Sequence, residues 1–469
     1  MRATKLVCTL GPASQDRVGE LVAAGMDVAR INCSHGDRED HDRLLASVRA
    51  AADEAGRVVG VMADLSGPKV RLGDLRGGSV TLETGSRFEL RADHSGDAQG
   101  DATGAGTTHP GLAEDLEPGD GVLLSDGAVE LRVVERTPGA VITEAIRGGT
   151  VRSRAGVNVP SERLSVPAIS EKDERDLRWA LDAGVDMVAQ SFVRRAVDVR
   201  ALSGLFDEPR PVLVAKLETL PAVEDARAIL EAADAAVVAR GDLGVEAPLE
   251  KIPVLQKQLV ALANHAARPV VVATQMLESM TAAPRPTRAE TQDVAQAVFD
   301  GADAILLSGE TAIGEYPVEA ARTAALILET AETAGAEFLP GDREPGALDF
   351  EELPLARAAA VLARRGGASA VACFTRSGLT ARLLSAARPR VPIHAFSPDL
   401  RAVGRMTLFH GVTPRGCGTP EDTDAMIAMM DRALREADTV PSGAIVVMVA
   451  SSPAGRTHAN LLKVHHVGS

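Results

Sequence analysis

The sequence contains no apolar run of the roughly 18 residues that a membrane-crossing helix requires, so no membrane partner is expected. Cysteine is sparse: Cys8, Cys33, Cys373 and Cys417 stand far apart along the chain. That spacing is neither a disulfide framework nor a zinc-ligand pattern, and it fits a reducing compartment. Positive charge is in deficit, because 50 Lys and Arg against 65 Asp and Glu leave a net charge of −15. Such an excess of acid argues against nucleic acid as the main partner. Anions can still bind, but only where cations are gathered locally, so the placement of Lys and Arg becomes informative. The opening MRATKLVCTLGPAS has only a short apolar core followed at once by Gly and Pro. It does not read as a secretory leader, and a cytoplasmic location is expected.

What is present is ordinary for a globular protein: 469 residues, 45% apolar and 25% charged, enough for two to four domains. One pattern recurs in AAGMDVARIN, DAGVDMVAQSF, EAADAAVVARGD and DGADAILLSGET. A helix-like stretch ends in Gly or another small residue with Asp nearby, and a short apolar run follows. Glycine suits a helix C-cap, and the run suits a strand buried on both faces. Eight such runs precede residue 320: Lys5–Leu10, Val28–Asn32, Val59–Leu65, Met187–Phe192, Val212–Glu218, Ala236–Asp242, Val270–Gln275 and Ala304–Ser308. Alternation with helical segments predicts a (β/α)8 TIM barrel.

The gap between Leu65 and Met187 is too long for one crossover helix. Residues 74–157 alternate apolar and polar positions between Gly-containing turns, which predicts a small inserted β domain of barrel type. Insertions at βα loops land on the catalytic face of such barrels, so this one is a candidate lid. The barrel is therefore expected over residues 1–73 and 158–338. A Pro/Gly/acidic linker, LPGDREPGALDFEELP, then leads to residues 339–469, a smaller α/β sandwich with strands at Ala370–Phe374, Ile393–Phe396 and Ile445–Val449.

Reactive residues gather where such barrels do chemistry, at strand C-termini. Strand two ends in Arg30, Asn32, Cys33 and Ser34, and strand three in Asp64, Leu65, Lys69 and Arg71. Strand five ends in Lys216 and Glu218, strand six in Arg240, Gly241 and Asp242, strand seven in Thr274 and strand eight in Ser308 and Glu310. Glu218 and Asp242 are carboxylates on adjacent strands, and with substrate oxygens and water they make a Mg2+ site. Lys216 is two residues from Glu218, so both side chains share a face. An ammonium, guanidiniums and a metal suit phosphoryl transfer, where catalysis is mostly positioning and neutralisation. Taken singly, a Lys or Asp at a strand end is more often a solvated group or an ion pair than a catalytic one.

The strings ATKLVCTLGPAS, GMDVARINCSHG, AGVNVP, PAISEKDERDL, VARGDLGVE and ATQMLESMTAAPRPTRAETQDVAQAVFDGADAILLSGETAIGEYPVEA resemble the pyruvate kinase family, in order, across the barrel. The resemblance implies phosphoryl transfer between phosphoenolpyruvate and ADP, with Mg2+ or Mn2+ as cofactor. Lys216 would balance charge on the transferring group, and Glu218 and Asp242 would hold the metal. The Gly241 and Asp242 amides with Thr274 would bind the substrate carboxylate. Arg30, Asn32 and Arg71 would face nucleotide and phosphoryl oxygens. Thr274 and Ser308 would relay a proton to enolpyruvate, with Glu310 behind them. Asn32, Ser34, Asp64 and the Leu65 carbonyl would line a K+ pocket. A homotetramer is implied as well.

Three departures from the family pattern stand out. Lys69 occupies the place where a Glu often accompanies K+; its ammonium makes that cation redundant, so little or no K+ activation is expected. Ala155 replaces a lid lysine, and Arg154 is the candidate substitute for nucleotide contact. Cys33 replaces an aromatic and is expected to be a buried small apolar residue rather than a redox thiol. In the C-terminal unit, Thr375, Ser377, Gly378 and Thr380 resemble the phosphate cradle for an activator, since hydroxyls and amides at a helix start bind phosphate. Arg456 is a second candidate phosphate contact, while His465 and His466 read as a solvated tail. Two rivals stay open: a metal-dependent carbon–carbon lyase on a barrel, and a metabolite sensor without activity.

Overall fold

The computed structural model describes residues 2–92, 99–125, 127–339, 352–453 and 458–469. Most of the linker, Arg456 and part of the surrounding SSPAGRTHAN loop lie outside the described residues.

Eight parallel strands close into a barrel: β1 (Lys5–Thr9), β2 (Val28–Asn32), β3 (Gly60–Asp64), β4 (Met187–Gln190), β5 (Val212–Leu217), β6 (Ala235–Ala239), β7 (Val270–Ala273) and β8 (Ala304–Leu307). Neighbours follow chain order, and β8 pairs back onto β1 through Lys5↔Ala304 to Cys8↔Leu307. Nearly every strand residue is buried, which is why the strands read as unbroken apolar runs. Helices Arg38–Glu54, Glu171–Asp182 and Arg288–Asp300 each start with a reciprocal capping box, at Asp37/Asp40, Ser170/Asp173 and Thr287/Glu290. Strand six is shorter than the sequence implies. It stops at Ala239, and Arg240–Glu246 is already helical, so Arg240, Gly241 and Asp242 occupy a first helical turn.

The repeated aspartate in the four similar strings has a structural cause. Asp27, Asp186, Asp234 and Asp303 stand just before β2, β4, β6 and β8. Each accepts the backbone amide of the preceding odd strand: Leu6 at 2.9 Å, Val61 at 2.8 Å, Leu213 at 3.0 Å and Val270 at 2.9 Å. Each also holds an arginine, Arg2, Arg49, Arg210 and Arg388 in turn. These charge-assisted bonds pin the foot of the barrel at four quarter positions.

The insert follows β3. Strands Val157–Asn158, Gly121–Leu124, Val129–Thr137, Ala140–Arg147, Arg87–Arg91 and Gly104–Gly106 form a six-stranded sheet in that order. Gly149–Arg152 pairs with Ser79–Leu82 as a separate ribbon. Where the sequence suggests one small barrel, the described residues form these two sheets over one apolar cluster, and one of the pairings, between Arg87–Arg91 and Gly104–Gly106, is parallel.

The C-terminal unit has strands β9 (Ala370–Phe374), β10 (Ile393–Ser397), β11 (Val412–Gly416), β12 (Ile445–Ala450) and β13 (Leu461–His466), in sheet order β11-β10-β9-β12-β13. Two of these, β11 and β13, escape a reading based on apolar runs, because both are edge strands with mixed polarity. His465 is therefore not a tail residue. It is buried in β13, with Nε2 2.9 Å from Asp431 Oδ1. His466, next on the alternating strand, is exposed.

This unit packs on the barrel foot. Lys5 Nζ donates to Val412 O at 2.7 Å, and Gly411 N donates to Ala3 O at 2.8 Å. Two glycines permit the contact: a Cβ on Gly60 would lie 2.2 Å from Thr407 Oγ1, and one on Gly404 would lie 1.8 Å from Asp186 Oδ1.

Candidate active site

The C-terminal ends of β2, β3, β4 and β5 converge on one buried charge network. Arg30 on β2 donates from Nε to Asp64 Oδ2 at 2.7 Å and from Nη1 to Thr9 Oγ1 at 2.9 Å. Lys216 near the end of β5 donates to Ser191 Oγ at 2.8 Å, and lies 3.2 Å from Glu218 Oε2 and 3.7 Å from Asp64 Oδ2. Ser191 in turn donates to Asp64 Oδ1 at 3.2 Å. Burial opposes the charge on Lys216, but Asp64 and Glu218 outweigh it and hold the ammonium above its ordinary pKa. Burial also opposes ionisation of Asp64, but Lys216 and Arg30 prevail and hold it below the usual carboxylate value. Glu218 goes the other way: burial pushes its pKa up, against the pull of Lys216.

Glu218 is 1% exposed. Its Oε1 accepts the Phe192 amide at 2.7 Å, whereas Oε2 receives no hydrogen bond despite its proximity to Lys216. A buried carboxylate oxygen lacking a hydrogen bond costs free energy unless a cation completes it. No group of three or more His, Cys, Asp or Glu forms a ready cage among the described residues. Two carboxylates do fit Mg2+, which keeps most of its shell for water and substrate oxygens.

Asp242 faces this network from the helix after β6, near enough for its charge to act on both Lys216 and Glu218. Its Oδ1 accepts from Lys69 Nζ at 2.9 Å, and Lys69 also stands 5.6 Å from the Phe192 ring centre. Lys69 is thus paired across the mouth, with its side chain 21% exposed. Asn32 and Ser34 are close neighbours, the Asn32 Oδ1 accepting the Ser34 amide at 3.1 Å. Leu65 is buried beside Asp64.

Thr274 and Gln275 adopt left-handed backbone, with φ of 72° and 54°. Such strain in non-glycine residues is held by surrounding bonds and clusters at functional sites. Here Arg240 supplies the bonds, to Thr274 O at 2.6 Å and Asp293 Oδ1 at 2.7 Å. Its charge is therefore committed to Asp293 and to loop geometry, a correction to its expected place among the cations of the mouth. Gly241 N donates to Thr274 Oγ1 at 2.7 Å, so the amide and hydroxyl expected to share a carboxylate do meet. Glu310 is fully buried and accepts the amides of Ser308 at 2.7 Å and Leu277 at 3.0 Å. It clamps the loops after β7 and β8 and sets where Ser308 stands.

Between insert and barrel lies a cavity of about 680 Å³, lined by Ser34, Lys69, Arg71, His109 and Lys172 among others. Arg71 therefore faces open space near the mouth. Arg154 does not reach it: its side chain is 76% exposed and paired with Asp74 at 3.0 Å on the insert surface. Cys33 is fully buried with its thiol pKa pushed up by burial, which fits a small apolar residue and not a reactive thiol.

Ser191, Phe192 and Thr9 are parts of the network that strand-end reading missed. The signal was the Ser-Phe pair closing the fourth apolar run, overlooked because neither residue is charged. In the C-terminal unit, Thr375 Oγ1 accepts the Gly378 amide at 3.1 Å and Ser377 Oγ the Leu379 amide at 3.4 Å. Thr380 lies in the first turn of helix Leu379–Ala386 that follows.

Comparison with known proteins identifies the family of the chain. The family model described as pyruvate kinase, barrel domain, matches residues 1–321, and that described as pyruvate kinase, alpha/beta domain, matches residues 354–465. The chain is 44% identical to the pyruvate kinase of Corynebacterium efficiens, covering 100% of this chain and 98% of that protein. It is 43% identical to that of Mycobacterium tuberculosis, covering 100% and 99%. The crystal structure of a Cryptosporidium parvum pyruvate kinase superposes with a TM-score of 0.89 at 32% identity, covering 99% of this chain and 96% of that one. With both family domains present in order, the chain belongs to the pyruvate kinase family.

Proposed function

We propose that the chain transfers the phosphoryl group of phosphoenolpyruvate to ADP, giving pyruvate and ATP in the cytoplasm as a step of glycolysis. The observation that carries this reading is the Lys216–Glu218–Asp64–Arg30 network at the barrel mouth, with Asp242 beside it. Lys216, kept charged by its carboxylates, neutralises oxygens of the migrating group as they gain charge. Arg30 adds a second fixed cation, and Arg71 with Asn32 receives the nucleotide at the cavity under the insert. The Gly241 and Asp242 amides and Thr274 orient the carboxylate of the substrate. Thr274 and Ser308 deliver the proton to the product enol, with Glu310 fixing Ser308.

Glu218 and Asp242 would hold Mg2+ or Mn2+, which would supply positive charge against the developing charge of the substrate oxygens. Asn32, Ser34, Asp64 and the Leu65 carbonyl correspond to a K+ pocket, and the Lys69 ammonium makes that ion unnecessary. Thr375, Ser377, Gly378 and Thr380 cradle the phosphate of an activator, and the working form is a homotetramer. The test is pyruvate formation from phosphoenolpyruvate with ADP and Mg2+, coupled to NADH oxidation by lactate dehydrogenase. Carbon–carbon cleavage without ATP formation would favour the lyase, and tight substrate binding without turnover the sensor.

A further inference from the structure

The helix Arg240–Glu246 that follows β6 carries two carboxylates four positions apart, Asp242 and Glu246, so both lie on one face. Like charges at that spacing destabilise a helix, so each needs donors of its own. Asp242 takes Lys69 across the mouth. Glu246, the last residue of the helix, is half-buried. One of its oxygens, Oε2, accepts two hydrogen bonds, from the Leu220 amide at 2.8 Å and from Ser161 Oγ at 2.9 Å.

These two donors belong to different parts of the fold. Leu220 opens the short helix Leu220–Glu224, two residues beyond Glu218 on the loop after β5. Ser161 is buried at the start of the turn Ser161–Arg163, on the segment by which the insert returns to the barrel. The same segment is gripped again at Leu164 and Val166, whose carbonyls accept Arg194 Nη1 at 2.6 Å and Nη2 at 2.9 Å. Arg194 stands two residues beyond Phe192, whose amide donates to Glu218 Oε1. A cavity of about 30 Å³ bounded by Lys69, Asn158, Ser161, Phe192, Arg194 and Glu246 among others lies between these elements. Burial pushes the Glu246 pKa up against the pull of the Leu220 and Ser161 bonds, and the charge of Asp242 pushes the same way, so the two carboxylates act on one another.

We infer that Glu246 is a positioning residue for the divalent ion: it fixes the Glu218 loop, the Asp242 helix and the return segment of the insert relative to one another. One acceptor shared by two loops keeps either from shifting alone. Outer partners of this kind orient metal-binding carboxylates and set affinity without touching the ion. Coupling between sites is reciprocal, so an ion that needs the loops in this arrangement also steadies the return segment. A purely structural Glu246 would lower stability and leave both properties unchanged. The assignment rests on the reading of Glu218 and Asp242 as the metal carboxylates.

The test is Mn2+ binding to the full chain, with free Mn2+ counted by electron paramagnetic resonance, together with amide hydrogen exchange of residues 159–166 with and without Mn2+. Glu246→Ala removes the shared acceptor and should weaken Mn2+ binding by about tenfold, the usual worth of an outer partner. Glu246→Gln keeps a carbonyl oxygen for both donors and should restore most of that affinity. In the parent, Mn2+ should slow exchange across residues 159–166 by about fivefold or more. Ser161→Ala, which keeps the Leu220 bond, should leave Mn2+ affinity near the parental value and abolish this slowing. It carries the test should Glu246→Ala fail to fold. Asp242→Ala separates two failures. Weakened Mn2+ binding in Asp242→Ala beside parental binding in folded Glu246→Ala overturns the inference alone. Parental binding in Asp242→Ala overturns the reading of the metal carboxylates and the inference with it. Exchange in the parent that ignores Mn2+, or slowing that survives in Ser161→Ala, also overturns the inference.

Discussion

Lys69 Nζ lies 2.9 Å from Asp242 Oδ1, joining the loop after β3 to the helix after β6 across the barrel mouth. The contact puts a fixed-stem ammonium on a carboxylate proposed to hold the divalent ion. At an effective dielectric near 20, unit charges about 4 Å apart interact by about 4 kcal/mol, so this one residue sets the local cation balance. Lys69→Glu reverses that charge and should create a need for monovalent cation. In tetramethylammonium buffer, KCl should leave the parent rate almost unchanged and raise that of Lys69→Glu by about tenfold or more, a 1.4 kcal/mol effect. A parent enzyme strongly activated by KCl would refute the assignment.

Lys216→Met removes the ammonium while keeping most of the side-chain volume. Removing a single preorganised donor typically lowers turnover by about 10²–10³-fold, and a full charge at the transferring group should do at least this much. Binding of phosphoenolpyruvate and Mn2+, followed by the paramagnetic relaxation of water protons, should persist. Near-parental turnover would show that charge neutralisation comes from elsewhere.

Much of this arrangement is legible in the sequence, for identifiable reasons. The barrel strands are buried on both faces, so each appears as an apolar run. The Asp before every even strand repeats because one amide of the preceding strand needs the same acceptor four times. Lys216 and Glu218 could be paired because strand alternation is local. Partners fixed by tertiary approach were not legible. Arg154 turns to Asp74, Arg240 to Asp293, and His465 to Asp431, each through a contact that no sequence period encodes. Strand β13 escaped because it is an edge strand of mixed polarity in which only His465 is buried, against Asp431 thirty-four positions earlier.

Glu310 is a positioning residue, holding the Ser308 and Leu277 amides from a fully buried carboxylate. Glu310→Gln replaces one acceptor by a donor facing an amide, at a cost of about 1–3 kcal/mol. A lower melting temperature and a kcat reduced more than the KM for phosphoenolpyruvate are expected. Because Ser308 moves, the proton delivered to the enol should also slow, which is read as release of enolpyruvate detected by its ketonisation in solution. Equal losses in kcat and KM, with no free enol, would assign Glu310 to stability alone.

Asp234 gives the barrel foot a defined pH response. Burial opposes its ionisation, but the Arg210 hydrogen bond and charge and the Leu213 amide prevail, so its folded pKa lies below the ordinary value. An unfolded aspartate titrates near about 3.9. The folded state therefore binds the proton less well than the unfolded one, and the stabilisation is fully present above that pH. It is lost as pH falls from there through the lower folded value. Asp234→Asn should destabilise the chain by about 1–3 kcal/mol at pH 7, by removing a charge-assisted acceptor from Arg210 and Leu213. Urea unfolding of parent and variant between pH 7 and pH 3 should show a gap constant down to about pH 4.5 and narrowing below it. A gap that widens with acid would mean that Asp234 is protonated in the folded protein and that Arg210 is held by something else.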